Sequence, residues 1–307
     1  MNFDFCSGRW DSRRIGRFCA ALSRRYPFIA CSSIGRSVMG RPLRALMLGG
    51  GTYRVLFHGA HHANEWITAP LLLRFVCELA AAADSGAAIG GVDARTLLED
   101  ASLAVIPAVN PDGIDLVTGA LRRGAFFECA REIAANYPDI SFPAGWKANI
   151  SGIDLNLQYP ALWETAKSIK FSLGYAAPSP RDYVGPTPLC APEARALYEY
   201  TLFYSPALTL SYHTQGKEIY WQFQDYAPPE AAALAAEFAA LSTYAAAEVP
   251  PASGYAGYKD WFLQEFRRPG FTIEAGLGEN PLPPTQFNEI YADNSGILVR
   301  AMKPFDC

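Results

Sequence analysis

Short apolar runs of strand length alternate with longer segments of helical pattern, and this alternation limits the fold classes open to the chain. Residues 101–107 form a mainly apolar run, which is typical of a strand buried on both faces of its sheet. Residues 29–35 and 43–48 are separated by Met39-Gly40-Arg41-Pro42, a turn sequence that predicts an antiparallel hairpin. Residues 1–307 are therefore predicted to form one α/β domain with a mixed sheet flanked by helices.

The other patterns divide the chain into further elements. Asn110-Pro111-Asp112-Gly113 is predicted to be a turn. Residues 120–190 carry many prolines and are predicted to be mainly loop, and so long an irregular stretch in a compact domain is usually functional. Further strands are predicted at residues 53–57, 207–212 and 271–273, and helices at residues 11–25, 69–83, 193–204, 231–247 and 286–302.

Composition and charge exclude several classes of partner. Half of the residues are hydrophobic and 18% are charged, as expected of a globular protein with a substantial core. The net charge is −4 and there is no long basic run, so neither nucleic acid nor an anionic membrane is expected to bind. No apolar run approaches the roughly 20 residues that a membrane span needs.

The cysteines and the N-terminus predict a compartment. The seven cysteines are odd in number and form no CxxC pair, which supports neither a disulfide framework nor a sulfur-bound metal and favours a reducing compartment. The first residues lack the charged and apolar regions of a secretory leader. We therefore expect a cytoplasmic protein, with oligomeric state unpredicted.

Candidate metal ligands lie where predicted strands end. His62 and Glu65 are three residues apart, between a predicted strand and a predicted helix, and His213 ends another predicted strand. Neutral imidazole and carboxylate groups are ligands that zinc accepts, and a catalytic zinc site leaves one position open for water. The other two candidate histidines, His58 and His61, are predicted to be a buried, hydrogen-bonded strand residue and a loop or supporting residue.

A zinc-activated water needs a carboxylate that accepts its proton. Glu274 is the best-placed candidate, because it follows the predicted strand 271–273 and precedes Gly276-Leu277-Gly278.

Five motifs, in order along the chain, resemble those of the zinc carboxypeptidases of the carboxypeptidase A type. They are His62-Ala63-Asn64-Glu65, Asn110-Pro111-Asp112-Gly113, Gly152-Ile153-Asp154-Leu155-Asn156, Ser211-Tyr212-His213 and Phe271-Thr272-Ile273-Glu274. The resemblance implies one Zn²⁺ held by His62, Glu65 and His213, with Glu274 as general base and later as general acid. It also implies an eight-stranded mixed sheet between helices.

One departure from that family changes the expected substrate. The exopeptidases follow the asparagine equivalent to Asn156 with an arginine, and this pair binds the C-terminal carboxylate of the substrate. Leu157 stands in that place here and cannot pair with a carboxylate. Asn156 is retained as a predicted substrate-binding residue.

Three segments of this chain resemble one bacterial branch of the family, the γ-D-glutamyl-L-diamino acid endopeptidases. They are residues 152–160, Trp146-Lys147-Ala148-Asn149 and Tyr258-Lys259-Asp260-Trp261-Phe262. These enzymes cut murein stem peptides between D-Glu and meso-diaminopimelate (or Lys). The resemblance therefore implies zinc-dependent hydrolysis of this bond, with a murein stem peptide or muropeptide as the binding partner.

Two cationic roles follow from the same resemblance. Lys147, after Trp146, is the nearest match to the family arginine that polarises the scissile carbonyl, with Arg122 and Arg123 as alternatives on the preceding segment. Lys259 falls where the exopeptidases set side-chain specificity, so it is expected to recognise a substrate carboxylate such as that of diaminopimelate.

The family tyrosine that covers the substrate has no clear counterpart, because Pro250 and Pro251 occupy its region. Tyr255 and Tyr258 are nearby candidates for this substrate-binding role.

Three alternative functions stay open at this point. A metallocarboxypeptidase or a zinc deacylase of N-acyl amino acids would use the same ligand pattern on another bond. An inactive peptidoglycan-binding module would be of another class, and the intact ligand set and base argue against it. A cytoplasmic enzyme would recycle imported murein peptides, whereas an enzyme of the spore compartment would remodel a wall.

Overall fold

The computed structural model describes residues 4–250 and 253–305, so Pro251 lies outside the described residues. One eight-stranded sheet runs through the molecule, and a separate two-stranded hairpin, β4 and β5, lies beside it. The strands are β1 Ala30–Arg36, β2 Pro42–Leu48, β3 Tyr53–Gly59, β4 Ala88–Ile89, β5 Val92–Asp93, β6 Ala101–Ile106, β7 Leu208–His213, β8 Glu218–Tyr220, β9 Ala245–Ala247 and β10 Gly270–Glu274.

The strand order of the large sheet is β1-β2-β6-β3-β7-β10-β8-β9. The central strands β6, β3, β7 and β10 are parallel to one another, while β1, β2 and β8 pair antiparallel with their inner neighbours. The predicted hairpin is present as β1 and β2. The mixed eight-stranded sheet is therefore confirmed.

Ten α-helices accompany the sheet in the described residues. Five of them match the predicted helices closely, except that α8 ends early, as described below. The helices are α1 Ser12–Arg25, α2 Thr68–Ser85, α3 Ala94–Asp100, α4 Pro111–Val117, α5 Ala125–Ala135, α6 Trp163–Ser172, α7 Pro192–Tyr204, α8 Pro229–Ala240, α9 Tyr258–Phe266 and α10 Phe287–Ala301.

The core lies on both faces of the sheet, because alternate side chains of each central strand point to opposite faces. In β3, Val55 and Phe57 belong to one buried cluster and Leu56 to another. Both clusters are covered by helices, which explains why these strands read as continuous apolar runs. Contrary to the expectation from sequence, the segment Ala63–Ser85, which includes α2, is long and apolar enough to span a membrane by length and composition, but 72% of its most apolar window is buried inside the molecule.

The prediction of a turn at Asn110-Pro111-Asp112-Gly113 is wrong. Pro111 begins helix α4, and the Asn110 side chain caps it by accepting a hydrogen bond from the Gly113 N–H at 3.0 Å. Proline at the first helical position has a suitable φ and loses no hydrogen bond there, so this sequence starts a helix as readily as it makes a turn.

Three further assignments need correction. Residues 120–190 contain helices α5 and α6 and are less irregular than predicted. The helix predicted over 231–247 ends at Ala240, because residues 245–247 form the edge strand β9 beside β8. Strand β8 and helix α9 were not predicted, since both are short and their patterns are weak.

Candidate active site

The sheet brings the predicted ligands together at one edge. His62 immediately precedes the 3-10 turn Ala63–Glu65 that follows β3, His213 is the last residue of β7, and Glu274 is the last residue of β10. Strands β3, β7 and β10 are parallel neighbours, and Glu274 pairs in register with His213. Since the carboxyl ends of parallel strands share an edge, the side chains of His62, Glu65, His213 and Glu274 converge there.

The three ligand candidates form a buried cluster. His62 Nδ1 lies 2.8 Å from Glu65 Oε1, and His213 Nδ1 lies 2.9 Å from Glu65 Oε2. The two Nδ1 atoms are 3.2 Å apart. All the ligand atoms lie within 4.8 Å of one another, and two imidazole nitrogens and a carboxylate meeting so closely are a donor set that fits one zinc ion.

The Glu65 carboxylate is held in its charged form. Burial would raise its pKa, but the charges of His62 and Lys147 outweigh that effect and hold the pKa well below its usual range. A carboxylate must be ionised to bind a metal, so Glu65 is in the state that a metal site requires.

Asp154 orients the His62 ring from the other side. Its Oδ1 lies 3.1 Å from His62 Nε2, so Nδ1 is the ring nitrogen that faces the cluster. Asp154 also accepts hydrogen bonds from the backbone N–H groups of Asn156 and Asp182, both at 3.1 Å. The charge and hydrogen bond of His62, the charge of Lys147 and the Asp182 N–H lower the pKa of Asp154 despite its burial, so Asp154 is a charged anchor of the site.

Glu274 and Lys147 flank the cluster. Burial and the neighbouring charge of Glu65 raise the pKa of Glu274 to about 8, which suits a group that accepts and returns a proton near neutral pH. Lys147 Nζ lies 3.3 Å from Glu65 Oε1. Burial would lower the pKa of Lys147, but the carboxylates of Glu65, Asp154 and Glu274 outweigh it and raise the pKa, so this side chain is a cation.

A cleft of about 840 Å³ opens over this centre. Asn156, Leu157 and Lys259 line it together with His62, Lys147, His213 and Glu274. The Asn156 Oδ1 accepts the Tyr258 backbone N–H at 3.1 Å. The Lys259 Nζ donates to the Gln222 carbonyl at 2.7 Å and to Asp260 Oδ1 at 2.5 Å, so its charge already has a buried partner.

A model of the zinc carboxypeptidase family matches residues 15–295. The chain belongs to the zinc carboxypeptidase family. It is a metallopeptidase by this membership, and the family implies zinc, for which the His-Glu-His group is present.

The chain is also similar to curated and solved proteins. It is 40% identical to γ-D-glutamyl-L-diamino acid endopeptidase 1 of Lysinibacillus sphaericus over 281 residues, which are 92% of this chain and 69% of the relative. Bovine thrombin-activatable fibrinolysis inhibitor shares the fold, with a TM-score of 0.72 at 16% identity over 97% of this chain and 98% of that one. Murein-tripeptide amidase of Escherichia coli O157 does so with a TM-score of 0.56 at 20% identity over 90% and 94%.

The structure places both tyrosine candidates outside the cleft-lining residues. Tyr258 is fully buried, its hydroxyl lies 3.0 Å from Thr201 Oγ1, and its ring packs on His58 with centroids 4.1 Å apart. The prediction that Tyr258 contacts the substrate is therefore wrong. Tyr255 packs edge-on against Phe223 with centroids 6.4 Å apart and does not line the cleft either.

Tyr220 on β8 is a cleft-lining tyrosine that the sequence did not suggest. Its hydroxyl donates a hydrogen bond to Glu218, which pairs in register with Glu274 on the adjacent strand. The alternation of Glu218-Ile219-Tyr220 is a weak strand signal that identifies this residue only once the pairing is known.

The remaining histidines and cations stand apart from the cluster. His61 Nε2 lies 3.0 Å from the Tyr159 hydroxyl, as expected of a supporting residue. His58 is buried, but neither ring nitrogen has a hydrogen-bond partner among the described residues, so the predicted hydrogen bond is wrong. Arg122 and Arg123 are exposed and line no part of the cleft, which leaves Lys147 as the cation nearest the metal ligands among these three.

Proposed function

We propose that this protein is a zinc peptidase that hydrolyses the bond between γ-D-glutamate and meso-diaminopimelate, or lysine, in murein peptides. One observation supports this proposal most strongly. The cleft contains three metal-ligand candidates and a base, and Leu157 lines its wall beside Asn156. Because Leu157 offers no guanidinium to bind a C-terminal carboxylate, this wall position disfavours ordinary carboxypeptidase action. The activity for which the 40% identical relative is named supports the same choice.

In this proposal His62, Glu65 and His213 hold one zinc ion. When bound, zinc lowers the pKa of a water molecule and polarises the scissile carbonyl. Glu274 accepts the proton of the attacking water and returns it to the leaving amine. The Lys147 ammonium stabilises the negative charge that develops on the carbonyl oxygen. Asn156 uses its oxygen to accept the Tyr258 N–H, so its amide N–H groups remain to donate to the substrate.

A panel of substrates tests the bond that is cut. The purified protein is incubated with L-Ala-γ-D-Glu-meso-diaminopimelate, with an N-acetyl amino acid and with an ordinary peptide that has a free C-terminus. We expect release of diaminopimelate from the first alone, measured by mass spectrometry. Preferred hydrolysis of the acyl amino acid would show that the protein is a deacylase. Removal of the last residue of the ordinary peptide would show that it is a carboxypeptidase.

We also propose a cytoplasmic or spore-compartment location, which cell fractionation checks.

Replacing Lys147 by methionine is expected to lower kcat by about 10²- to 10³-fold with a smaller change in KM. The reason is that a group which stabilises charge in the transition state contributes mainly to the chemical step. Steady-state kinetics on the tripeptide measure this. Arg122→Gln is the matched control and should leave both constants unchanged. Equal losses in the two variants, or a loss confined to KM, would rule out the proposed role of Lys147.

Lys259→Met is expected to lower kcat/KM about 10- to 100-fold on a diaminopimelate peptide and to leave a lysine peptide unaffected. Diaminopimelate carries one carboxylate more than lysine, and a lost charged hydrogen bond has about this effect. Because the substitution also leaves the buried Asp260 without its ion-pair partner, the double variant Lys259→Met/Asp260→Asn serves as a control, and thermal melts check that both variants fold. Equal losses on the two peptides would exclude recognition of the carboxylate by Lys259.

A further inference from the structure

Arg181 lines the cleft and has no role in the mechanism above. Its backbone is fixed beside the centre from both sides. The Pro180 carbonyl accepts the N–H groups of Lys147 and Ala148, at 2.8 and 2.9 Å. The Asp182 N–H donates to Asp154 Oδ2 at 3.1 Å. Both chain neighbours of Arg181 are thus bonded to the segment that carries Lys147 and the anchor of His62.

The Arg181 guanidinium is oriented but open. Its Nε donates to Asp182 Oδ2 at 2.6 Å, and the other Asp182 oxygen lies 2.5 Å from the buried Lys170 Nζ. The two terminal nitrogens of Arg181 make no hydrogen bond within the part of the chain that the structure describes, and 44% of its side chain is exposed. The side chain therefore presents a two-pronged donor to the cleft, held in place by its third nitrogen.

Among the described cations on this wall, Arg181 has the most exposed side chain, at 44% against 19% for Lys147 and 8% for Lys170. Lys147 is engaged by Glu65, and Lys170 is engaged by Asp182. Asp182, which orients Arg181, has a backbone φ of 67°, in the left-handed region that aspartate adopts more readily than most non-glycine residues. Two parallel N–H groups of an arginine match the two oxygens of a carboxylate.

We propose that Arg181 binds a carboxylate of the substrate, supplying from the loop after α6 the guanidinium that Leu157 cannot supply. This inference rests on the proposed function, because a γ-linked stem peptide carries such groups on both sides of the scissile bond. The D-glutamate keeps its α-carboxylate, and the diamino acid carries its own carboxylates. All of them share the chemistry that Arg181 recognises.

The test compares Arg181→Gln with the wild type on four peptides. They are L-Ala-γ-D-Glu-meso-diaminopimelate, the same peptide with the D-glutamate α-carboxylate amidated, its lysine analogue, and its C-terminal amide. On the first peptide the variant should lose about 10- to 100-fold in kcat/KM. Each of the other three peptides lacks one carboxylate. On the peptide that lacks the carboxylate bound by Arg181, the wild type should lose as much in kcat/KM, and the variant should have the same kcat/KM as the wild type.

The controls separate this inference from the proposed function. Arg123→Gln, an exposed arginine away from the cleft, should match the wild type on all four peptides, and Arg181→Lys should retain part of the activity through its charge. A loss by Arg181→Gln that is equal on all four peptides, or no loss, overturns the inference. If the wild type cuts none of the four peptides, the proposed function itself is overturned. If the variant equals the wild type on the C-terminal amide, Arg181 binds the C-terminal carboxylate of the substrate, which supports the inference.

Discussion

Glu274→Gln should lower kcat/KM on the murein tripeptide by about 10³- to 10⁴-fold while leaving the bound metal and the melting temperature unchanged. The amide keeps the shape of the side chain but cannot accept the proton of the attacking water, and proton transfer by a positioned group contributes up to about this factor. Glu274 is at the end of β10, in register with His213, and burial with the charge of Glu65 gives it a pKa of about 8.

The matched control is Glu279→Gln, another glutamate that lines the cleft but is not in the metal cluster. This variant should keep nearly full activity. Comparable losses in the two variants, or a Glu274→Gln enzyme within about tenfold of the wild type, would contradict the role of Glu274 as the base.

His213→Ala should abolish zinc binding and, with it, activity. Three protein ligands are the usual minimum for a catalytic zinc, and this substitution leaves two. The zinc content measured by mass spectrometry should fall from about one per chain to near zero. A chelator should lower the melting temperature of the wild type, because a metal that binds only the folded state stabilises it, and should leave His213→Ala unchanged.

His61→Gln is the control for this experiment. His61 is also buried, and its ring centroid lies 5.6 Å from that of His213, but its Nε2 contacts the Tyr159 hydroxyl and it is outside the ligand cluster. It should retain zinc. A His213→Ala protein that binds zinc as the wild type does would exclude His213 as a ligand.

The sequence predicts the centre of this site well because the sheet does most of the positioning. His62, His213 and Glu274 each follow an apolar run, and the carboxyl ends of parallel strands must share one edge. Recognising these runs as parallel strands is therefore enough to predict that the three residues lie close together, although their roles in catalysis remain predictions.

Residues outside this edge could not be placed from sequence for two physical reasons. On α9 the adjacent Tyr258 and Lys259 point in different directions, one to His58 in the core and one to the cleft, and spacing in the sequence does not fix which face is buried. Arg181 reaches the cleft because Pro180 and Asp182 form long-range backbone hydrogen bonds, and no local pattern encodes such contacts.

Local signals also compete with one another. Asn110-Pro111-Asp112-Gly113 satisfies the rules of a turn and those of a helix start, and the burial of the whole of α4 decides for the helix. Residues 245–247 follow an alanine-rich helix, but pairing with β8 at the sheet edge makes them a strand. In both cases tertiary packing overrides the local preference.

Anomalous diffraction at the zinc edge from crystals of the purified protein tests the convergence of these side chains most directly. We expect one peak, at about 2.0–2.2 Å from Nδ1 of His62, Nδ1 of His213 and a carboxylate oxygen of Glu65, with the Glu274 carboxylate facing its open side. A peak held by other residues, or crystals soaked in zinc that show none at this position, would contradict the assignment of this site as the catalytic centre.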